Sequence, residues 1–327
     1  RRCSTLNKIT CGVPQGSILG PLLFILYIND IVHSTKFFNF FLFADDTNAL
    51  AADKNLKDLI SKTNTELKLV SDWFKSNKLS LNAAKTNFIA FHKHRSTLMP
   101  AASIELFIEN SRIINVSSTK FLGVYINEFL TWDDHINSVC KKVSRNIGVL
   151  YKSSHLLSKS TLLTIYYSFI YPYFNYCNII WCPTSKKARR QLSTLQKRCI
   201  RVIFKAPRFA SVSTFFDQGQ LLKLDQIYIY QALIFMFKYF NNELPAIFTN
   251  YFILSKNVHS NNLRIVDNVR IGTYKTNLRK YFIKYLGPKI WNNAFANLNM
   301  SSLQTFKKSA KVFSVNKDLD CYTNILL

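Results

Sequence analysis

Two adjacent carboxylates, Asp45 and Asp46, end an apolar run, Phe41-Leu42-Phe43-Ala44, and are followed by Thr47-Asn48-Ala49-Leu50. A buried strand over Phe37 to Phe43, a tight turn at Asp45-Asp46 and a return from Asn48 make a hairpin with both acids at its tip, since Asp tolerates turn geometry. Strand side chains alternate between faces, so one of the pair, read here as Asp45, points into a site while its neighbour turns aside. A carboxylate on a buried strand needs a partner. A hard divalent cation, held by one or two carboxylates and by substrate phosphates, is such a partner. Taken alone, the pair also reads as a solvated turn.

The elements that must position this tip flank it. Upstream, Cys11-Gly12-Val13-Pro14-Gln15-Gly16-Ser17 is a turn in which Gly12 and Gly16 let backbone approach a ligand, and Ser17 can cap the helix that follows. Pro21 is tolerated only in a first turn, so that helix starts near Ser17 and closes at Asn29-Asp30. It is apolar on every side, which predicts burial. Downstream, Leu56, Leu59, Ile60, Thr63, Leu67, Val70, Trp73 and Phe74 recur at helical spacing behind a candidate N-cap, Asp53, with Asn77 as the stop. Lys85 lies in a turn before a strand over Asn87 to His92. Ile104 to Ile108 and Arg112 to Val116 alternate about Glu109-Asn110-Ser111 as a hairpin, and Lys120 to Ile126 reads as a further strand, with Gly123 a bulge or a point of close approach.

Beyond Thr131 the pattern is mainly helical. Asp133-Asp134 sits at a helix start, where carboxylates face the positive end of the dipole. Ser185 to Lys205 places Ala188, Leu192, Leu195, Val202 and Ile203 on one stripe and loads the remainder with Lys186, Lys187, Arg189, Arg190, Lys197, Arg198, Arg201 and Lys205. Such a helix can serve targeting, a membrane surface, calmodulin or a nucleic-acid backbone. Ser160 to Ser185 carries no charge, but Pro172 and its Thr, Ser and Asn residues favour short buried helices over a membrane span.

The chain has 327 residues, enough for two or three subdomains. Its 43 Lys and Arg against 18 Asp and Glu give a net charge of +25 beside a 48% hydrophobic content, which excludes a disordered tail and points to a polyanionic partner. The 16 Tyr and 27 Phe suit base stacking, but most fall at core periodicity. Seven scattered cysteines form no Cys-x-x-Cys pair, so reduced thiols in an intracellular protein, nuclear or cytoplasmic and not secreted, are expected. The sequence carries no signal-peptide pattern and does not begin with Met, which reads as part of a longer protein.

The run Gly12-Val13-Pro14-Gln15-Gly16-Ser17, continued by Leu19-Gly20-Pro21-Leu22-Leu23-Phe24 and followed by Phe43-Ala44-Asp45-Asp46, resembles the reverse transcriptase of non-LTR (LINE-type) retrotransposons. The resemblance implies an α+β fold: a partial polymerase palm, an antiparallel sheet with covering helices, over residues 1–128, a helical basic thumb over 129–208 and a helical C-terminal region over 209–327. It implies that Pro14, Gln15, Gly16 and Phe43 line template and incoming nucleotide, and that Asp45 and Asp46 bind Mg2+ or Mn2+. Lys85 would stand near the departing pyrophosphate, and Phe121, Leu122 and Gly123 would form the hairpin that grips the primer. Lys186, Lys187, Arg189, Arg190, Lys197, Arg198 and Arg201 would hold the phosphate backbone of the product duplex.

The partners implied are an RNA template, a DNA primer and its product, and deoxynucleoside triphosphates, with no membrane. In that family a further Asp on an earlier strand completes a two-metal centre, and the residues before Cys11 include no acid. The fragment by itself is therefore expected to be inactive or nearly so. A non-catalytic RNA- or DNA-binding protein derived from such an element is the second reading. A group II intron-type maturase is disfavoured, because its hairpin carries Tyr where this chain has Phe43.

Overall fold

The computed structural model describes residues 13, 16–92, 104–182, 186–255, 268–273, 277–315 and 317–323. Pro14 and Gln15 lie outside them. The fold mixes helices with small sheets, in two units: residues 1–119 with 127–129, and 120–126 with 130–327.

In the first unit, helix α1 (Leu19–Ile28) opens with Ser17 Oγ accepting from the Gly20 amide at 3.0 Å and carries Pro21 in its first turn. It passes into a 3-10 turn, Asn29–His33, as its length predicts. Its burial does not follow the prediction. Only Ile28 is buried, while Leu19, Leu22 and Leu26 are 61, 54 and 65% exposed. The core of this unit, Ile28, Ile31, Phe38, Val70 and Phe74, meets the helix along its Phe24 and Ile28 side only. An all-round apolar sequence cannot say which sides its neighbours reach.

Strands β1 (Asn39–Phe43) and β2 (Asp46–Leu50) pair antiparallel, with Phe43 opposite Asp46 and Ala44-Asp45 as a two-residue turn. Strand β1 is half-buried, correcting the buried strand expected: Phe40 and Leu42 join the core, while Phe41 and Phe43 face out. Helix α2 (Leu56–Ser76) buries Val70 and Phe74 on the predicted face. Its N-cap is Asn55, whose side chain accepts from the Lys57 amide, rather than Asp53. Asp53 instead accepts from the amides of Lys54 and Asn55 and pairs with Lys62.

The remaining strands are short. β3 (Asn87–Phe88) pairs in parallel with β6 (Ile114–Asn115), and β4 (Phe107–Ile108) pairs antiparallel with β5 (Ser111–Arg112) about Glu109-Asn110. The described strands thus make separate two-stranded sheets, not the one antiparallel sheet expected. Lys120 to Ile126 is not a single strand either. β7 (Ser118–Phe121) and β8 (Val124–Asn127) form a hairpin whose turn is Leu122-Gly123, with φ of 44° and 87°.

The second unit is helical: α3 (Asp133–Ser153), α4 (Lys159–Phe169), α5 (Tyr171–Asn175), α6 (Asn178–Trp181), α7 (Lys186–Ile203), α8 (Ser213–Gln218), α9 (Leu224–Phe240), α10 (Asn277–Lys280), α11 (Ile283–Ala294), α12 (Leu303–Val315) and α13 (Asp320–Thr323). One core runs from Val124 to Tyr322 and includes Leu150, Tyr166, Phe174, Leu192, Ile227, Met236, Trp291 and Phe306. Helix α9 is packed by α5, α6 and α7 from before residue 208 and by α11 and α12 from after it. Among the described residues no helix is long and apolar enough to cross a membrane, and 160–182 folds as short helices broken at Ile170 and Cys177.

Candidate active site and nucleic-acid contacts

The β1–β2 hairpin puts Phe43, Asp45 and Asp46 together. Ala44, with φ of 50°, turns the chain, Asp45 completes the turn and Asp46 opens β2. Both acids are exposed, so water already solvates them and burial does not compel a partner. What the tip offers is a pair of hard oxygen donors on a short, registered ribbon. That donor set fits part of a Mg2+ shell, whose remaining positions are ordinarily filled by water and substrate phosphates. Among the described residues no three His, Cys, Asp or Glu side chains converge on one point.

Gly16 has φ of 85° and open space where a Cβ would stand. The helix it leads into shares its core with β1, since Phe24 and Ile28 of α1 meet the cluster that Phe40 and Leu42 join. Turn and hairpin are thus carried by one packed unit. Lys85 is exposed in a separate turn closed by Asn82, whose backbone and side-chain oxygens both accept from the Lys85 amide at 3.1 Å.

In the second unit the Leu122-Gly123 turn is fixed from outside. Tyr176 Oη donates to the Leu122 carbonyl at 2.7 Å, and a Cβ on Gly123 would stand 3.4 Å from the Tyr176 ring. Positive φ at two successive residues is the geometry of a primed hairpin turn, and glycine is the residue that adopts it without strain. Behind the hairpin, the buried His135 accepts from the Tyr125 amide through Nδ1 at 3.4 Å and lies against Trp181. Burial, with Lys142 nearby, pushes its pKa down to about 4, so the ring is neutral at physiological pH.

Helix α7 divides its cations. Lys186, Lys187, Arg190, Lys197 and Arg198 are exposed and Arg201 is half-buried. Arg189, expected on the nucleic-acid face, is instead buried. Its Nη1 donates to both Asp225 oxygens at 3.2 Å and its Nη2 to Asp320 at 2.7 Å. The three residues tie α7, the first turn of α9 and α13 together. Lys186 also pairs with Asp320, at 3.6 Å. Gln196, also buried, donates to the Leu222 carbonyl at 2.9 Å and accepts from the Leu224 amide at 3.0 Å. These partners lie far away in the sequence, and no local pattern announces them. The one available sign was that Arg189 stands three residues before Leu192 on the apolar stripe.

Residues 3–126 match the family model described as reverse transcriptase (RNA-dependent DNA polymerase). The chain is similar to "Probable RNA-directed DNA polymerase from transposon X-element" of Drosophila melanogaster, 27% identical over 207 residues that cover 61% of this chain and 22% of that protein. It is equally similar to the RNA-directed DNA polymerase from mobile element jockey of the same organism, 27% identical over 216 residues, 62% of this chain and 23% of that one. A Nasonia vitripennis relative, the Pol polyprotein from type-1 retrotransposable element R1 2, is 26% identical over 184 residues, 52% of this chain and 43% of its own. The chain thus spans less than a quarter of the length of the two Drosophila relatives. No solved structure matches it. Residues 3–126 are thus similar to the reverse transcriptase family, and the relatives of the chain are named as RNA-directed DNA polymerases and a Pol polyprotein of mobile elements.

Proposed function

We propose that this chain is the later part of the palm, with the thumb, of an RNA-directed DNA polymerase that extends a DNA primer on an RNA template. The observation that carries the reading is the paired carboxylate tip, Asp45-Asp46, exposed on a ribbon that shares its core with the helix behind Gly16. Asp45 and Asp46 would hold a divalent cation, which would supply charge stabilisation for attack of a primer hydroxyl on the incoming nucleotide. The ribbon's part is to hold both acids in register. Phe43, exposed beside them, offers an apolar face to the incoming nucleotide. The Leu122-Gly123 turn, braced by Tyr176, offers a narrow backbone ridge to a primer strand. Exposed cations of α7 contact phosphates without reading sequence.

The test is primer extension on an RNA template with Mg2+ or Mn2+, comparing this chain, a longer version that includes the preceding residues of its natural protein, and Asp45→Ala in the longer version. The expected result is synthesis by the longer protein and a loss on the order of a hundredfold or more with Asp45→Ala. Undiminished synthesis by that variant rules out the metal assignment, and robust synthesis by the shorter chain rules out the need for further palm residues. A second reading, a nucleic-acid-binding protein without catalysis, draws on the net charge of +25 and the basic face of α7. Metal-dependent nucleotide incorporation separates the two.

A further inference from the structure

The exposed and half-buried cations of α7 do not form one uniform surface. Lys186, Arg190, Lys197 and Arg201 follow at steps of four, seven and four residues, with Ser193 between them, so they share one stripe about 22 Å long at 1.5 Å per residue. Lys187 and Arg198 lie off it. The stripe is one wall of a cleft of about 770 Å³. The other walls come from segments 211–216, 223–226 and 317–321, which bring Lys223, Lys317 and the hydroxyls of Ser211 and Ser213 to the same space.

We propose that this cleft binds one strand of nucleic acid by its sugar–phosphate backbone. Cations stand on more than one wall, as a groove that surrounds a phosphate chain requires, while serine hydroxyls offer neutral donors between them. A space of about 770 Å³ has room for one strand and is too small for a base-paired duplex to enter. The cations outnumber the acids in the cleft, seven to three: Arg189 holds Asp225 and Asp320, Lys186 also pairs with Asp320, and Asp318 lies against Asp225. The walls are also set in place before any ligand arrives. Gln196 and Arg189 stitch α7 to residues 222–225, Gln226 donates to the Val315 carbonyl at the end of α12, and Arg201 Nε donates to the Ala210 carbonyl at 3.0 Å. The inference deepens the proposed contact of α7 with nucleic acid and is independent of the carboxylate hairpin.

The experiment is fluorescence anisotropy on the full chain with a labelled oligouridylate, an oligothymidylate and a blunt RNA–DNA duplex, each over a range of salt. Two double variants are compared, Arg190→Gln with Lys197→Gln in the cleft and Lys141→Gln with Arg145→Gln on the exposed side of α3, outside it, after circular dichroism shows unchanged melting. All four positions are exposed, so folding is retained. The expected result is that the cleft pair weakens single-strand binding about tenfold or more and lowers the salt slope by roughly 1.4, two phosphate contacts at about 0.7 each. The outer pair should change single-strand affinity by less than about threefold, because its charges act only from a distance. The tighter of the two oligonucleotides identifies the natural strand as RNA or DNA. Equal losses from both pairs, or a duplex that displaces the oligonucleotide at equal concentration, overturn the cleft while leaving α7 a nucleic-acid contact. Failure of every probe to bind overturns both.

Discussion

Arg189 and Asp225 form a two-pronged ion pair at the floor of the basic cleft, with one guanidinium nitrogen 3.2 Å from each carboxylate oxygen. The Arg189 side chain is only 9% exposed, and its other terminal nitrogen reaches Asp320. Removing the cation strands two acids, one of them deeply placed. Arg189→Met is expected to lower stability by about 3 kcal/mol, the low end for breaking a buried pair because Asp320 keeps contact with water. Urea titration of the variant checks this. A loss as small as that of Lys187→Met would show that the triad does not hold the three elements together.

The same pair makes the cleft sensitive to acid. Burial, reinforced by Asp318 and opposed by Arg189, pushes the Asp225 carboxyl up to about 6. The charged groups around it are Arg189 from α7 and Asp318 and Asp320 from the C-terminal segment, with Lys186 paired to Asp320. As pH falls through about 6, Asp225 takes up a proton and the cleft gains one positive charge, so oligonucleotide affinity should rise between neutral and mildly acid pH. For stability the sign is the ordinary one for a raised carboxyl: its contribution is full below the unfolded value near 3.8 and is lost as pH rises through about 6. Asp225→Asn should flatten the affinity profile across that window.

Gly123 carries the turn that Tyr176 braces. At φ of 87°, with the tyrosine ring 3.4 Å from where a Cβ would stand, Gly123→Val is expected to cost about 1–3 kcal/mol from backbone strain and crowding. Tyr176→Phe removes one hydrogen bond to the Leu122 carbonyl and should cost about 1 kcal/mol. Thermal melts of both variants, with primer extension by the longer protein as a second readout, distinguish a turn that merely folds from one that also positions a strand.

His135 gives the second unit a pH limit. Its pKa of about 4 in the folded chain lies below the usual 6.5, so between those values the unfolded chain binds more protons than the folded one. The stability it contributes is complete above about 6.5 and falls away as pH drops toward about 4. A protonated ring can no longer accept from the Tyr125 amide, which would leave that donor unpaired beside Trp181. Chemical denaturation at a series of pH values should show this slope in the native chain and a reduced one in His135→Gln.

The long amphipathic elements were legible because their information is local. The spacing of Leu67, Val70 and Phe74 marks the buried face of α2, and Leu192 and Leu195 mark that of α7. The carboxylate tip was legible to within one residue, since a turn between apolar runs is a short-range pattern, but the chain turns at Ala44-Asp45 rather than Asp45-Asp46 and Asp46 already belongs to β2. Residue pattern alone reads Lys120 to Ile126 as one strand, because Leu in a left-handed conformation has no propensity signal; the hairpin there was implied only by the resemblance, and Tyr176, which lies far along the chain, helps to hold it. Arg189 was counted with the solvent-facing cations because its partners, Asp225 and Asp320, come together with it only after folding. The bare sides of α1 were misread because apolar content reveals what a helix avoids and not where its neighbours stand.

That helix has a practical consequence. Water meets the side chains of Leu19, Leu22 and Leu26 directly, and mutual repulsion from a net charge of +25 opposes the burial of those faces between two copies. Dissolved salt shortens the reach of that repulsion to about 10 Å at 0.1 M and about 3 Å at 1 M. The purified chain should consequently scatter more light as sodium chloride is added, and Leu22→Glu with Leu26→Glu should abolish the trend.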